Sequence, residues 1–240
     1  MESATFPDKF KYKGFKELGM MSPVSTFGMW HYVDTPYFNG VDEREIHQSD
    51  YNVVNAINRL IPELKANGES DLAAYQMRCL IHYIGDIHQP LHAVSMYSDD
   101  FPKGDRGGNS FQLDQLNPQY KITELHALWD SVVTAYASDW KEPLEEEDWD
   151  TITDGAKDIT GKYDRSSFDL QITDVQGWAK ESLTIAKAHV YAGIKQYEWP
   201  SDEYIETGIQ IAEKRIAQAG YRLADILVSI YSNAAFATSE

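Results

Sequence analysis

Hydrophobic residues recur at three- and four-residue steps along most of the chain, which is the pattern of amphipathic helices. The pattern predicts helices over about 49–67, from Ser70 through Ile84, from Thr123 through Val133, over 174–197 and over 204–231, and more weakly over 151–163. No repeat, linker or change in composition divides these stretches. We therefore expect an all-α fold: a single multi-helix domain over residues 1–240, with at most one or two short β-hairpins. Residues from about 1 to 29 are expected to form an irregular lead-in, and those from about 232 to 240 a frayed tail.

The second predicted helix leads into a stretch that is rich in candidate metal ligands. Residues 79–92 have the sequence CLIHYIGDIHQPLH. His82 and Asp86 are four residues apart and therefore lie one turn apart on the same face of a helix. An imidazole and a carboxylate at this spacing converge where a cation such as zinc binds. Pro90 then ends or bends the helix because it has no N–H, so that His92 approaches from another direction.

A second helical pair repeats this arrangement, because His126 and Asp130 are also four residues apart, in ELHALWD. A lone pair of this kind is most often a surface hydrogen bond, whereas two pairs and an additional histidine favour a metal site. Imidazoles and carboxylates without a thiol suit zinc in hydrolytic sites, where a coordination position stays open for water. Seven candidate ligands are too many for one tetrahedral ion and fit two ions. The seven are Asp34, His47, His82, Asp86, His92, His126 and Asp130.

The remaining histidines have simpler interpretations. His31 lies in an aromatic strip and is interpreted as a hydrogen-bonded core residue. His88 lies off the face that carries Asp86, so we interpret it as structural or as a support for a ligand. His189, on a late helix, is interpreted as a residue without a functional role.

The charge of the chain limits the classes of function that it suits. There are 21 Lys and Arg residues against 38 Asp and Glu residues, for a net charge of −17. A bare surface of this charge repels nucleic acid, which disfavours a general nucleic-acid-binding protein. Bound metal ions reverse the field locally, so the charge does not argue against a metalloenzyme that acts on phosphates. No apolar stretch approaches the roughly 20 residues that span a bilayer, and we expect no stable membrane association.

Several motifs together resemble the zinc-dependent single-strand nuclease and 3′-nucleotidase family of mung bean nuclease and related fungal and plant enzymes. The matching segments extend from Phe6 to about Tyr231 and are HYVDTPY, REIHQSDYNVVNAI, IHYIGDIHQPLH, GGNSFQL, LHALWD, WAKES and AGYRLA. The resemblance implies a helical, phospholipase C/nuclease-like fold with a cluster of zinc ions. It also implies hydrolysis of single-stranded DNA or RNA to 5′-phosphate products, and of 3′-mononucleotides. We expect a monomer. Family members are usually secreted or vacuolar, whereas the N-terminal sequence shows no apolar segment of a signal peptide. The location of the protein is therefore left open.

The resemblance also suggests a role for each candidate ligand. A first zinc would be bound by Asp34, His47, His82 and Asp86, and a second by His92, His126 and Asp130. Asp34 would in addition orient or deprotonate the attacking water.

Substrate contacts are implied in the same way. Asn109, in the GGN motif, resembles a residue near the substrate phosphate, and Asp50 resembles a carboxylate that contacts the base in some members. The aromatic residue that stacks on a base in some members is replaced by Gln48, and Tyr51 is the alternative for this role.

The resemblance is incomplete at the N-terminus. In the family a third zinc is held by an N-terminal Trp and by a His that follows it closely, whereas the first such residues here are Trp30 and His31. Asp86 would then be the remaining protein ligand of that ion. We therefore expect this sequence to hold two zinc ions well and the third site to be incomplete.

Two alternative functions stay open. A zinc-dependent phospholipase C shares the HxxxDxxxxxH spacing of His82, Asp86 and His92, but its second pair would be HxxxE, where this chain has Asp130. The other alternative is an N-terminally truncated, catalytically impaired zinc-binding relative.

Overall fold

The computed structural model of the chain describes residues 7–8, 28–67, 70–114, 122–133, 135, 144–170 and 174–232. In this part of the chain there are six α-helices: α1 (Val53–Asn67), α2 (Asp71–His88), α3 (Leu125–Asp130), α4 (Glu146–Lys162), α5 (Val175–Ile185) and α6 (Asp202–Tyr231). The predicted all-α class is therefore confirmed. The predicted lead-in and frayed tail lie almost entirely outside the described residues.

The strands form a smaller and different structure from the predicted hairpins. β1 (Pro36–Phe38) and β2 (Ser95–Tyr97) pair in parallel, with Pro36 opposite Ser95 and Phe38 opposite Tyr97. Parallel strands need a long crossover connection, and α1 and α2 supply it here. The sheet therefore ties the segment before α1 to the segment that follows α2.

Both ends of α2 are set by neighbouring residues of the chain. Ser70 caps the start of the helix, where its hydroxyl accepts a hydrogen bond from the N–H of Ala73. At the other end Gln89 has an extended backbone, and Pro90 opens a 3-10 turn over Pro90–Ala93. Because proline cannot continue the helical hydrogen bonds, the chain turns away from the α2 axis before His92.

The sequence predicts the length of α6 well and that of α5 poorly. α6 is capped by the side chain of Ser201 and spans nearly the predicted range. The helix predicted over 174–197 is shorter: α5 ends at Ile185 and continues as one π-helical turn over Ala186–Val190. Gly193 follows with a φ of 77°, a backbone conformation that no right-handed helix contains.

Two hydrophobic clusters meet at the end of α2. The first packs α1, α2, α5 and α6 together and includes Ile57, Ile87 and Trp178. The second surrounds the 3-10 turn and α3 and includes Leu91 and Trp129. The segment from Ile87 to Leu91 therefore passes from one cluster to the other, so that packing fixes both sides of the Pro90 turn. Among the described helices, none is both long and apolar enough to cross a membrane.

Candidate metal centre

One group of imidazoles and carboxylates gathers on the face of α2. The Nδ1 atom of His31 lies 2.9 Å from Nε2 of His82. Oδ2 of Asp86 lies 3.0 Å from each of these two nitrogens. The carboxylate of Asp8 lies 3.7 Å from the His31 nitrogen and 3.6 Å from the His82 nitrogen. Two imidazoles and two carboxylates thus converge on a space that one cation can fill.

His31 is held in this position from several directions. Its ring is 2% exposed and packs edge-on against the ring of Tyr83, with 5.3 Å between centroids. The following residues are anchored by backbone hydrogen bonds, from Val33 N–H to the carbonyl of His92 and from Val53 N–H to the carbonyl of Tyr32. The segment of His31 is therefore fixed to the start of α1 and to the turn after α2.

A second group forms across the Pro90 turn. Nε2 of His92 lies 3.5 Å from one carboxylate oxygen of Asp130, and Nε2 of His126 lies 3.4 Å from the other. Nδ1 of His92 donates to the carbonyl of His31 over 2.7 Å, and Nδ1 of His126 donates to the carbonyl of Gly107 over 2.6 Å. A carbonyl only accepts, so each Nδ1 carries a proton. Release of the proton from Nε2 would then leave each ring in the tautomer that binds a cation through Nε2.

Gln89 links the end of α2 to the second group. Its Nε2 atom donates to Oδ1 of Asp130 over 2.8 Å, and its Oε1 atom accepts from the N–H of Leu91. One oxygen of the Asp130 carboxylate is thus oriented by an amide, which leaves the other directed at His126.

The glycines of the GGN motif allow a close approach to the same turn. Gly107 has a φ of 60°, and a Cβ atom there would lie 2.4 Å from the carbonyl oxygen of Leu91. The buried carboxylate of Asp105 holds this loop, because it accepts hydrogen bonds from the N–H groups of Met96 and Gly108 and from the hydroxyl of Tyr191. The loop can therefore present the Gly107 carbonyl to His126 only because residue 107 has no side chain.

The charges of the two groups stabilise one another. Burial would raise the pKa of Asp86, but this effect is outweighed by the charge of His92 and by the hydrogen bonds from His31 and His82, so the pKa lies well below its usual range. For Asp130, burial is likewise outweighed by hydrogen bonding to His92 and by its charge, which brings the pKa to about 2. Burial would lower the pKa of His92, but Asp86 and Asp130 raise it to about 9. The carboxylates are thus ionised and favour positive charge in the site.

All members of the two groups except His82 line one cavity of about 690 Å³, together with Tyr32, Asp34, Arg106 and Asn109. Oδ1 of Asp86 lies 4.0 Å from Nδ1 of His92, so the carboxylate of Asp86 belongs to the first group and also faces the second. Two candidate cation sites therefore open into the same space.

A model of the S1/P1 nuclease family matches residues 1–232 of this sequence. The chain belongs to the S1/P1 nuclease family. Endonuclease 1 of Arabidopsis thaliana is 32% identical to it over 223 residues, which cover 85% of this chain and 68% of the relative. Nuclease S1 of Aspergillus oryzae is 26% identical over 235 residues, covering 92% and 75% of the two chains. The resemblance inferred from the motifs is thus confirmed, and membership of this metal-dependent family supports a hydrolase that acts on phosphodiester bonds.

A shorter match bears on the alternative function of a phospholipase C. Phospholipase C of Bacillus cereus is 27% identical over 71 residues, or 30% of this chain and 25% of the relative. The match therefore covers a segment of the S1/P1 domain, whereas the nuclease relatives cover most of it.

Five of the predicted ligands lie in the two groups of this S1/P1 chain. They are His82, Asp86, His92, His126 and Asp130. The structure does not bring Asp34 and His47 to them. Asp34 lines the cavity, and both Asp34 and His47 line a neighbouring pocket of about 190 Å³. Loss of hydration, followed by the charge of Asp105, raises the pKa of Asp34 to about 6.

Asp8 and His31 lie beside His82 and Asp86, whereas the resemblance implies Asp34 and His47 as the other ligands of the first zinc. The sequence predicts a core position for His31, and the residue is indeed buried, but its Nδ1 atom faces the ligands of α2. No sequence pattern points to Asp8. The spacing along the chain could not identify either residue, because neither shares a helical turn with another ligand.

Of the predicted substrate contacts, one lies in the cavity and the others lie outside it. Asn109 lines the cavity and donates from Nδ2 to the carbonyl of Arg106 over 2.8 Å. Asp50 and Tyr51 are exposed in the segment before α1 and do not line the cavity, although Tyr51 borders the smaller pocket. Among the described residues, Tyr32 is the one Phe, Tyr or Trp that lines the cavity of the two metal groups.

Proposed function

We propose that the chain is a zinc-dependent phosphoesterase that hydrolyses single-stranded DNA and RNA to 5′-phosphate products and also acts on 3′-mononucleotides. The observation that carries the proposal is that two donor groups, joined by the carboxylate of Asp86, open into one cavity. Relatives of this chain that bear the names Endonuclease 1 and Nuclease S1 support a nucleic acid as the substrate.

The donor chemistry of both groups fits zinc. Imidazole nitrogens and carboxylate oxygens without thiols are the ligand set of hydrolytic zinc sites. The first group offers Asp8, His31, His82 and Asp86, and the second offers His92, His126 and Asp130. Bound zinc would polarise a phosphate oxygen and lower the pKa of a water molecule.

Residues around the two groups supply the remaining functions of such a site. Asp34 borders the cavity with a pKa near 6, which suits a group that accepts a proton from the attacking water near neutral pH. Tyr32 offers an aromatic face on which a base can stack. Asn109 borders the same space and remains our proposed phosphate contact, whereas Asp50 has no part in the proposal.

The test is hydrolysis of a 5′-labelled single-stranded oligonucleotide and of 3′-AMP, with zinc and after treatment with a chelator. We expect zinc-dependent cleavage, with 5′-phosphate ends that a DNA ligase accepts. His82→Ala should abolish turnover because it removes a donor of the first group. His189→Ala is the matched control, since this exposed histidine borders a different surface groove.

The result also separates the alternatives. Hydrolysis of phosphatidylcholine vesicles without cleavage of nucleic acid would replace the proposal with a phospholipase C. Zinc binding without turnover of either substrate would indicate an impaired relative.

A further inference from the structure

Arg106 is a cation in a cavity wall that is otherwise acidic. Among the described residues, the charged side chains that line the main cavity are Asp8, Asp34, Asp86, Asp130 and Arg106, apart from the histidines. Three of these carboxylates belong to the metal groups and the fourth, Asp34, lines the cavity wall. Each of them repels a polyanion that enters the cavity. A strand of nucleic acid carries one negative charge per nucleotide. Any phosphate that does not reach the metal groups therefore needs another positive partner.

The guanidinium of Arg106 has no protein partner in the described part of the chain. Its hydrogen bonds are made by the backbone: the N–H donates to the hydroxyl of Ser95 and the carbonyl accepts from Asn109. The side chain is exposed at the cavity. Its charge reaches Tyr32 and Asp34, where it partly offsets the burial that raises the pKa of both groups, yet no ion pair with Asp34 forms within 4.0 Å. Arg106 is thus available for a ligand in the cavity that Tyr32 also lines.

The backbone at Arg106 is unfavourable for a residue with a side chain. Its φ is 60°, in the left-handed region that glycine adopts without strain. Gly107 and Gly108 follow with φ values of 60° and 80°. A glycine at position 106 would adopt this backbone without strain. Because the arginine is strained and its guanidinium makes no contact with the described residues that stabilises the fold, the strain indicates a role in ligand binding.

We propose that Arg106 is a substrate-binding residue that contacts a non-scissile phosphate of the single-stranded substrate. The inference rests on the proposed nuclease function. The scissile phosphate lies between the two metal groups, and Tyr32 beside Arg106 receives the base of a neighbouring nucleotide. The guanidinium then binds the phosphate of that nucleotide through charge-assisted hydrogen bonds. This contact favours oligonucleotides over substrates that contain only one phosphate.

The test compares three substrates of rising length: bis(p-nitrophenyl) phosphate, a dinucleoside monophosphate and a thymidine pentanucleotide. In Arg106→Gly we expect kcat/KM for the pentanucleotide to fall on the order of tenfold, mainly through KM, because one charged hydrogen-bonding partner is lost. The two substrates with a single phosphate should stay within about twofold of the wild type. The slope of log kcat/KM against log salt for the pentanucleotide should become shallower by about 0.7.

Two further variants separate binding from folding. Arg106→Lys keeps the charge and should retain most of the pentanucleotide activity at low salt. Lys103→Ala removes a charge from the same loop but does not line the cavity, and should leave all three substrates unaffected. Arg106→Gly should also raise the melting temperature, since it relieves the left-handed strain, whereas a structural role for the arginine requires the melting temperature to fall.

An equal loss on all three substrates, or no loss on the pentanucleotide, would overturn the inference. A wild-type protein that cleaves none of the nucleotide substrates would instead overturn the proposed nuclease function.

Discussion

Nδ1 of His31 lies 2.9 Å from Nε2 of His82, although the two residues are 51 positions apart in the sequence. This contact joins the segment before α1 to the ligand face of α2. It assigns His31 to the first donor group, where the motif resemblance had suggested His47.

We predict that His31→Ala lowers the zinc content of the protein from about two ions per chain to about one. A ligand of the first group is lost, and activity on single-stranded DNA should fall at least about 100-fold. The measurement is elemental analysis of the purified variant together with its kcat/KM. His47→Ala is the matched control, since His47 lies outside both groups, and it should retain both ions. Three tightly bound zinc ions in the wild type would contradict the two-site proposal.

Gln89→Ala should weaken the second site selectively. The side-chain amide orients Asp130 through a 2.8 Å hydrogen bond, and loss of such a support typically costs about 10- to 100-fold in metal affinity. Titration with a competing chelator should resolve one weakened ion and one unchanged ion. A uniform loss at both sites would show that Gln89 acts through the fold of the turn instead.

Gly107→Ala should destabilise the protein through a clash as well as through strain. Its Cβ would lie 2.4 Å from the Leu91 carbonyl oxygen at a φ of 60°, and we expect a loss of about 2 kcal/mol or more in the free energy of unfolding. Gly40→Ala is the control, because Gly40 has a φ of 75° with no atom within 4 Å of its added Cβ. That variant should lose only about 1 kcal/mol, the cost of the left-handed backbone. Urea unfolding of both variants gives the difference, and equal losses would refute the clash.

Glu181→Gln should flatten the acid limb of the stability profile. The Glu181 carboxylate accepts two hydrogen bonds from buried Arg222 and one from Arg215. Partial burial opposes ionisation of Glu181, but these partners outweigh it and lower its pKa from the usual 4.5. A lowered folded-state pKa gives stability that is present above the unfolded-state pKa and is lost as the pH falls through the folded-state value.

In metal-free protein the variant should therefore lose about 1–3 kcal/mol at pH 7 and less at pH 4. Urea midpoints at the two pH values provide the measurement. Glu206→Gln is the control, because it also removes one negative charge but from an exposed position, and it should leave the profile unaltered. A Glu181→Gln variant that shows the wild-type difference between pH 7 and pH 4 would exclude this role for the network.

The sequence determined those parts of the site that depend on short-range geometry. His82 with Asp86, and His126 with Asp130, each lie one turn apart because both pairs are helical. The turn at Pro90 followed from the missing N–H of proline, and the helical class followed from the spacing of apolar residues. These features are set within a few residues of chain.

The tertiary structure decided which distant residues complete the site. It placed Asp8 and His31 beside α2 and put Asp34 in the wall of the same cavity. It also paired β1 with β2 in parallel, which no local turn specifies. The physical reason is that such contacts join segments separated by tens of residues, so they depend on how α1 and α2 pack and leave no periodic signal in the sequence.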